Sequence, residues 1–399
     1  MYGLSDLFGQ VRDGRKFIRK YATQVVVRGL FAGIMARVGS FNALGQRRAG
    51  GFIRRKEWVG GEMPSADQTG RIVSSVVADD MRVVNRKLLR KMKRNKAFRK
   101  AFECGKGAVV VDGHEICASF LRNCPDCLER MIHKNSGDET QYYHRCVMAM
   151  WVWGDWCLTL DMEMQKSGED EVACAWRCLE RVIRDYGRSF NLVLADSLYA
   201  RAPFFKQCRQ RGKDVVAVLK DERREVMKDA DALMEQMTPE QWEDRGRVIR
   251  CWDVDGFTSW DTMDCPVRVL RTKETKPVRR QKDGKIYMEK SEWYWVTTIS
   301  KEKLQTKSAV EIGHRRWAVE NEGFNELVNE WHADHVFKHD ANAITVIWLL
   351  LFVAYNLFHA FIRLNLKAAI RAGKSIKYWA CQIVADFHIW TSERKPDTS

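Results

Sequence analysis

Acidic residues are scarce at the start of this chain: the first 100 residues hold 7 Asp and Glu against 23 Lys and Arg, whereas residues 101–399 hold 45 against 44. The formal net charge of +15 over 399 residues is therefore an N-terminal property. It is the pattern expected of a phosphate-binding surface set apart from the rest, with solvated helix faces as the plain alternative. The first 30 residues lack the apolar core of a secretion signal. Twelve cysteines are too dilute for a disulfide scaffold, so a reducing cytoplasm is expected. Internal repeats and extended low-complexity segments are also lacking. Long uncharged runs are rare: only residues 341–362 (ANAITVIWLLLFVAYNLFHAFI) could cross a bilayer without an Asp, Glu, Lys or Arg. That run holds Asn342, Asn356 and His359 and reads as a buried core helix, apolar all round, with a membrane span as the alternative. At 45% hydrophobic residues, the chain is globular and can fill more than one core.

Residues 1–104 read as small basic helices joined by a flexible arm at 45–56 (GQRRAGGFIRRK), with further breaks at Gly60-Gly61 and Pro64. Within 81–100, Val84, Leu88 and Met92 share one helical stripe. Arg86, Lys87, Arg90, Lys91, Lys93 and Arg94 surround it, so one face packs while the others can meet DNA phosphates. Residues 105–221 alternate more legibly. Strands are expected at 108–111, 142–153 and 156–164, the last two joined by a tight turn at Gly154-Asp155. A helix at 169–186, a strand at 191–195, a helix near 200–211 and a strand at 214–219 follow. This α/β order resembles the ribonuclease H-like core, a mixed five-stranded sheet with flanking helices in which the ends of the first and fourth strands lie side by side. Residues 222–304 change character: after a charged helical piece, alternating Val, Trp, Tyr and Thr at 247–252, 267–272, 285–288 and 293–298 read as a β-rich insertion. Residues 305–399 are helical again, with Trp317, Phe324, Val328 and Trp331 on one stripe.

Three acids stand out. Asp112 follows one apolar run and Asp196 another, while Glu320 lies one helical turn after Arg316. Two carboxylates at strand ends and a third on a helix can converge on divalent ions, and two-metal phosphodiester cleavage needs carboxylates flanking ions roughly 3.5–4 Å apart. Such oxygen donors favour Mg²⁺ or Mn²⁺ over Zn²⁺. Taken singly, an Asp after a strand is an ordinary turn or helix-cap residue. Glu322 is a rival third acid, but on a regular helix it projects about 200° away from Glu320.

The segment 313–331 (GHRRWAVENEGFNELVNEW), followed by Asp334-His335 and His339, resembles the C-terminal signature of DDE transposases of the insertion-sequence-four type. Asp-Gly-His-Glu at 112–115 and Ala-Asp-Ser-Leu-Tyr at 195–199 resemble the surroundings of that family's first two acids, and the β-rich insertion falls where the family has one. The resemblance implies that Asp112, Asp196 and Glu320 form a metal-binding catalytic triad for two Mg²⁺ ions, with Mn²⁺ able to substitute, and that Arg316 contacts DNA phosphate near the scissile bond. It further implies cleavage at inverted-repeat ends, strand transfer of the 3′-hydroxyl into target DNA, a homodimer on double-stranded DNA, and a bacterial, cytoplasmic, nucleoid-associated location without a membrane. Gly313 and Leu327 stand where the family has Tyr and Lys, and His314 or Lys338 are the nearest substitutes. These departures leave two alternatives: a silent DNA-binding protein derived from a transposase, or a ribonuclease H-like nuclease without strand transfer.

Two patterns remain outside this reading. Cys124-Pro-Asp-Cys127 is a proper zinc half-site, and His144 and Cys146 follow, but within an expected strand; two reduced thiols in a turn are the alternative. His332, His335 and His339 could lie near DNA or pack. Trp252, Trp260, Trp293 and Trp295 in the insertion are sheet core or a platform for an unstacked base.

Overall fold

The structure is a computed structural model that describes residues 2–16, 20–49, 59–99, 107–135, 137–220, 224–280, 282 and 284–392. Most of the basic arm expected at 45–56, and both expected boundaries near 104 and 221, lie outside the described residues. The N-terminal region is helical: α1 (Leu4–Gly9), α2 (Thr23–Met35), α3 (Phe41–Ala49), α4 (Ala66–Val73) and α5 (Ala78–Arg94). Helix α5 buries Met81, Val84, Leu88, Leu89 and Met92, and also Asn85. Asp79 and Asp80 in its first turn and Lys91, Lys93 and Arg94 in its last complement the helix dipole.

The apolar run ahead of Asp112 builds the middle of a sheet. Strand β1 (Gly107–Ser119) buries its first five residues, as a strand covered on both faces must. It does not end at Asp112. Its second half stays paired with the long strand β3 (Gly137–Trp153), and β2 (Leu128–Lys134) forms a hairpin with β3 in a stretch read as loop. Strand β4 (Trp156–Met164) turns back on β3, helix α6 (Glu171–Tyr186) follows, and β5 (Phe190–Ala195), α7 (Ala202–Gln210) and β6 (Asp214–Val218) complete the unit. β1, β5 and β6 run parallel and β3 antiparallel, in the order β4-β3-β1-β5-β6.

The insertion does not make a sheet of its own. After α8 (Glu225–Met234) come β7 (Glu240–Asp244), β8 (Arg247–Phe257), β9 (Val267–Arg279) and β10 (Ile286–Thr297). β10 pairs antiparallel with β6, Trp295 opposite Val218, so all ten strands form one continuous sheet. The runs expected at 285–288 and 293–298 are one strand, because 289–292 (EKSE), polar and near the rim, keep pairing with β9.

The C-terminal part contains α9 (Thr306–Arg315), a π-helical turn at Val319–Phe324, α10 (Asn325–Trp331), α11 (Ala341–Asn365), α12 (Ala368–Arg371) and α13 (Ile376–Ser392). The most apolar stretch of α11 is 89% buried inside the fold. Its polar residues have partners there: Asn356 donates to Asn85 Oδ1 at 2.9 Å and to the Thr159 carbonyl at 2.8 Å, and accepts from Thr159 N at 3.0 Å. This buried network joins α11, α5 and β4, and leaves none of these amide and carbonyl groups unpaired.

Candidate active site

Register brings the first two acids together. Val110 of β1 pairs with Leu194 of parallel β5, so Asp112 and Asp196 follow two residues further on beside each other, and each feels the other's charge. Asp196 leaves the sheet and caps the short turn Ser197–Tyr199, accepting from Leu198 N at 2.9 Å. Asp112 stays in β1 opposite Met148 of β3 and accepts from Gly113 N at 2.9 Å.

Side chains alternate across a strand, so Asp112 and His114 share a face. The π-helical turn settles on that face. Phe324 stacks on His114 with ring centroids 4.4 Å apart and planes 16° from parallel. Gly323 lies so close to β3 that a Cβ there would meet Met148 Cε at 2.8 Å. Tyr355 of α11 donates to the Glu322 carbonyl at 2.6 Å, which holds the turn from above. Glu320 is thereby carried over the strand ends. Arg316 Nη1 lies 2.8 Å from Glu320 Oε1 and 3.6 Å from Asp112 Oδ2. Arg316 is 7% exposed and sits between two of the acids. Its Nε–H is buried and has no hydrogen-bond partner among the described residues.

A fourth carboxylate escaped the sequence. Glu171, the first residue of α6, accepts from Arg145 Nη2 at 2.7 Å and from the Tyr199 hydroxyl at 2.9 Å. It presses on the strand beside Asp112: a Cβ on Gly113 would lie 2.2 Å from Glu171 Oε2. An acid at a helix N-terminus is ordinary, so nothing local flagged it; the one usable signal was the glycine after Asp112. Burial pushes the Asp112 carboxyl up to about 7, the negative field of Asp196 adds to this, Arg316 opposes it, and Glu320 and Glu171 raise it further. A carboxyl raised by burial, with further acids close by, marks a candidate functional site.

The remaining candidates separate clearly. Glu322 turns away, bound to Arg315 at 3.0 Å and Cys157 at 2.9 Å. His314 is taken up by Glu274 of β9 at 2.6 Å, and Leu327 is fully buried, so neither faces the acids as a free cation or donor. Gly313 is glycine for a physical reason: a Cβ there would lie 2.7 Å from the ring of Trp295. Trp295 is core, Trp252 donates to the Met237 carbonyl, and Trp260 packs on Phe205. Trp293 differs, since it meets Trp317 at 4.6 Å and Trp317 in turn carries the Arg316 guanidinium at 4.5 Å. On α5, Arg86 pairs with Asp185, Lys87 with Gln10 and Lys91 with the Tyr2 carbonyl, so these three bind within the protein. Arg90, Lys93 and Arg94 are exposed, and Lys93 Nζ donates to Ser189 Oγ at 3.0 Å. Arg90 and Lys93 line a cavity of about 740 Å³ together with Arg184, Arg188 and Arg211; none of the three acids borders it.

A family model for the transposase DDE domain matches residues 118–357. The chain belongs to this transposase family. Asp196 and Glu320 fall inside the matched segment, and Asp112 lies six residues before it. No curated protein matches the chain. Members of the family generally act with divalent metal ions and on DNA. The residues here fit such ions: Asp112, Asp196 and Glu320 offer only hard carboxylate oxygens, and a cation would offset both the burial of the Asp112 charge and its repulsion by the neighbouring acids.

Proposed function

We propose that this transposase belongs to the insertion-sequence-four type, cuts DNA at the inverted-repeat ends of its element, and joins the freed 3′-hydroxyl to target DNA. One observation carries the reading: Arg316 Nη1 lies between Asp112 and Glu320, while burial first, and then the nearby Asp196, pushes the Asp112 carboxyl up to about 7. The strand order β4-β3-β1-β5-β6, with β3 alone antiparallel to β1, supports a ribonuclease H-like core. Asp112, Asp196 and Glu320 would hold Mg²⁺ or Mn²⁺, which would supply activation of the attacking oxygen and stabilisation of the leaving one. Arg316 keeps Glu320 and Asp112 aligned, and its guanidinium would attract a phosphate brought beside them. Trp293 and Trp317 form an aromatic step next to Arg316 on which an unstacked base could rest. Exposed Arg90, Lys93 and Arg94 extend the DNA surface. Because two ends must be joined, the working form is a homodimer on double-stranded DNA, in the cytoplasm of a bacterium.

The test is incubation of the purified protein with its terminal repeats in Mg²⁺ or Mn²⁺. Wild type nicks and joins the ends, and Asp112→Ala, Asp196→Ala and Glu320→Ala do neither; equal cutting by those variants overturns the assignment. The departures at Gly313 and Leu327 favour a second reading, a protein that shifts end DNA without nicking it in either metal. A protein that cuts but never joins a pre-cleaved end is a nuclease instead.

A further inference from the structure

Four soft donors converge away from the carboxylates. Cys124 and Cys127 come from the turn before β2, His144 from β3, and His339 from the segment just ahead of α11. Their ligand atoms all lie within 4.8 Å of one another. Cys127 Sγ is 3.7 Å from Cys124 Sγ, 3.4 Å from His144 Nε2 and 3.2 Å from His339 Nε2, and Cys124 Sγ is 3.3 Å from His144 Nε2. A tetrahedral ion with Zn–S near 2.3 Å and Zn–N near 2.0 Å needs sulfur–sulfur spacings of about 3.8 Å and sulfur–nitrogen spacings of about 3.5 Å. The observed spacings match to within a few tenths of an ångström. Cys124 N donates to Cys127 Sγ at 3.3 Å, a bond that steadies a thiolate in a C-x-x-C turn. Cys146, the fourth ligand the sequence suggested, is not among these donors; it is fully buried near Cys174 of α6.

We infer that Cys124, Cys127, His144 and His339 bind a structural Zn²⁺. Two sulfurs and two imidazole nitrogens are a donor set for zinc rather than for the hard ions suited to the carboxylates. Four protein ligands leave no open position, so the site braces the fold and does no chemistry. It joins the β2–β3 hairpin to the residue before Asp340, the cap of α11, closing a loop of 212 residues between Cys127 and His339. The ion thus ties the edge of the catalytic sheet to the C-terminal core helix. The inference does not depend on the proposed DNA chemistry, because no ligand is shared.

The experiment measures zinc in the full chain, purified without chelator and without a metal-affinity tag, by elemental mass spectrometry. About one zinc per chain is expected in wild type, Cys146→Ser and Asp112→Ala, and less than about a fifth of that in Cys127→Ser and His339→Ala. Replacement of zinc by cobalt gives the thiolate charge-transfer and tetrahedral absorption bands of a two-sulfur site, and Cys124→Ser weakens the charge-transfer band by about half. The cobalt spectrum of wild type stands even if a variant fails to fold, and His339→Cys, which restores a ligand, retains the metal. A wild-type chain that holds no zinc and gives cobalt no thiolate band overturns the inference, as does loss of zinc in Cys146→Ser equal to that in Cys127→Ser.

Discussion

Neutralising Asp112 should make the resting protein more stable while abolishing its chemistry. The Asp112 side chain is 14% exposed, and its carboxyl is pushed from an ordinary 3.8 up to about 7, by burial first and then by Asp196. Its folded value lies above the unfolded one, so the native state binds the proton more tightly. Stability attributable to this group is therefore full below pH 4, is lost as pH rises, and levels off above pH 7. The shift of about three units corresponds to up to about 4 kcal/mol of strain at pH 8. Asn cannot ionise, so Asp112→Asn should gain up to about 4 kcal/mol over wild type at pH 8, but only about 2 kcal/mol at pH 5.5. With an unfolding entropy of about 2.1 cal/mol/K per residue, the pH 8 gain is worth roughly 5 °C in Tm if the chain unfolds as one unit. The assay is thermal unfolding of both proteins across pH 5.5–8 in buffer without added Mg²⁺. Adding Mg²⁺ at pH 8 should then stabilise wild type and not the variant. A variant no more stable than wild type at pH 8, or a gain that does not shrink on acidification, would falsify the view that burial and neighbouring acids strain this carboxyl.

Three further outcomes follow from the same geometry. Gly113→Ala drives a Cβ into the Glu171 carboxylate, so it should cost about 1–3 kcal/mol in denaturant unfolding. Most of that loss should disappear in a Glu171→Ala background, and purely additive effects would show that the two do not touch. Arg316→Lys keeps the charge but loses the planar guanidinium whose Nη1 meets both Glu320 and Asp112, so the cleavage rate should fall about 100-fold with the circular dichroism spectrum unchanged; activity within twofold of wild type would remove Arg316 from the site. Asn356→Leu leaves Asn85 and Thr159 with unpaired buried groups and should cost about 2–4 kcal/mol; a neutral result in chemical denaturation would mean that water enters between α11 and β4.

The order of elements from β3 to β6 was readable in the sequence because burial there is continuous: the Cys146–Val152 stretch, the α6 stripe and the Leu192–Ala195 run each carry the period of the surface they cover. The expectation that Asp112 and Asp196 lie close together followed from the resemblance of that order to the ribonuclease H-like core. β2 was missed because its exposed, charged residues give no such period, and β10 was split because its middle lies near the rim. A regular helix was expected through 313–331, but a π-helical turn interrupts it, seated by Gly323 and Phe324 on distant side chains of β1 and β3.

By itself, then, the sequence determined the strands and helices from β3 to β6 and the one-turn spacing of Arg316 and Glu320, since these are written in local periodicity, while the neighbourhood of the two aspartates came from the resemblance of that order to a known core. Tertiary structure alone decided that Arg316 sits between Asp112 and Glu320, that Glu171 presses on Gly113, that the insertion extends the central sheet, and that His339 rather than Cys146 joins Cys124, Cys127 and His144. Each of those depends on contacts between residues far apart in the chain, and such contacts leave no period for the sequence to show.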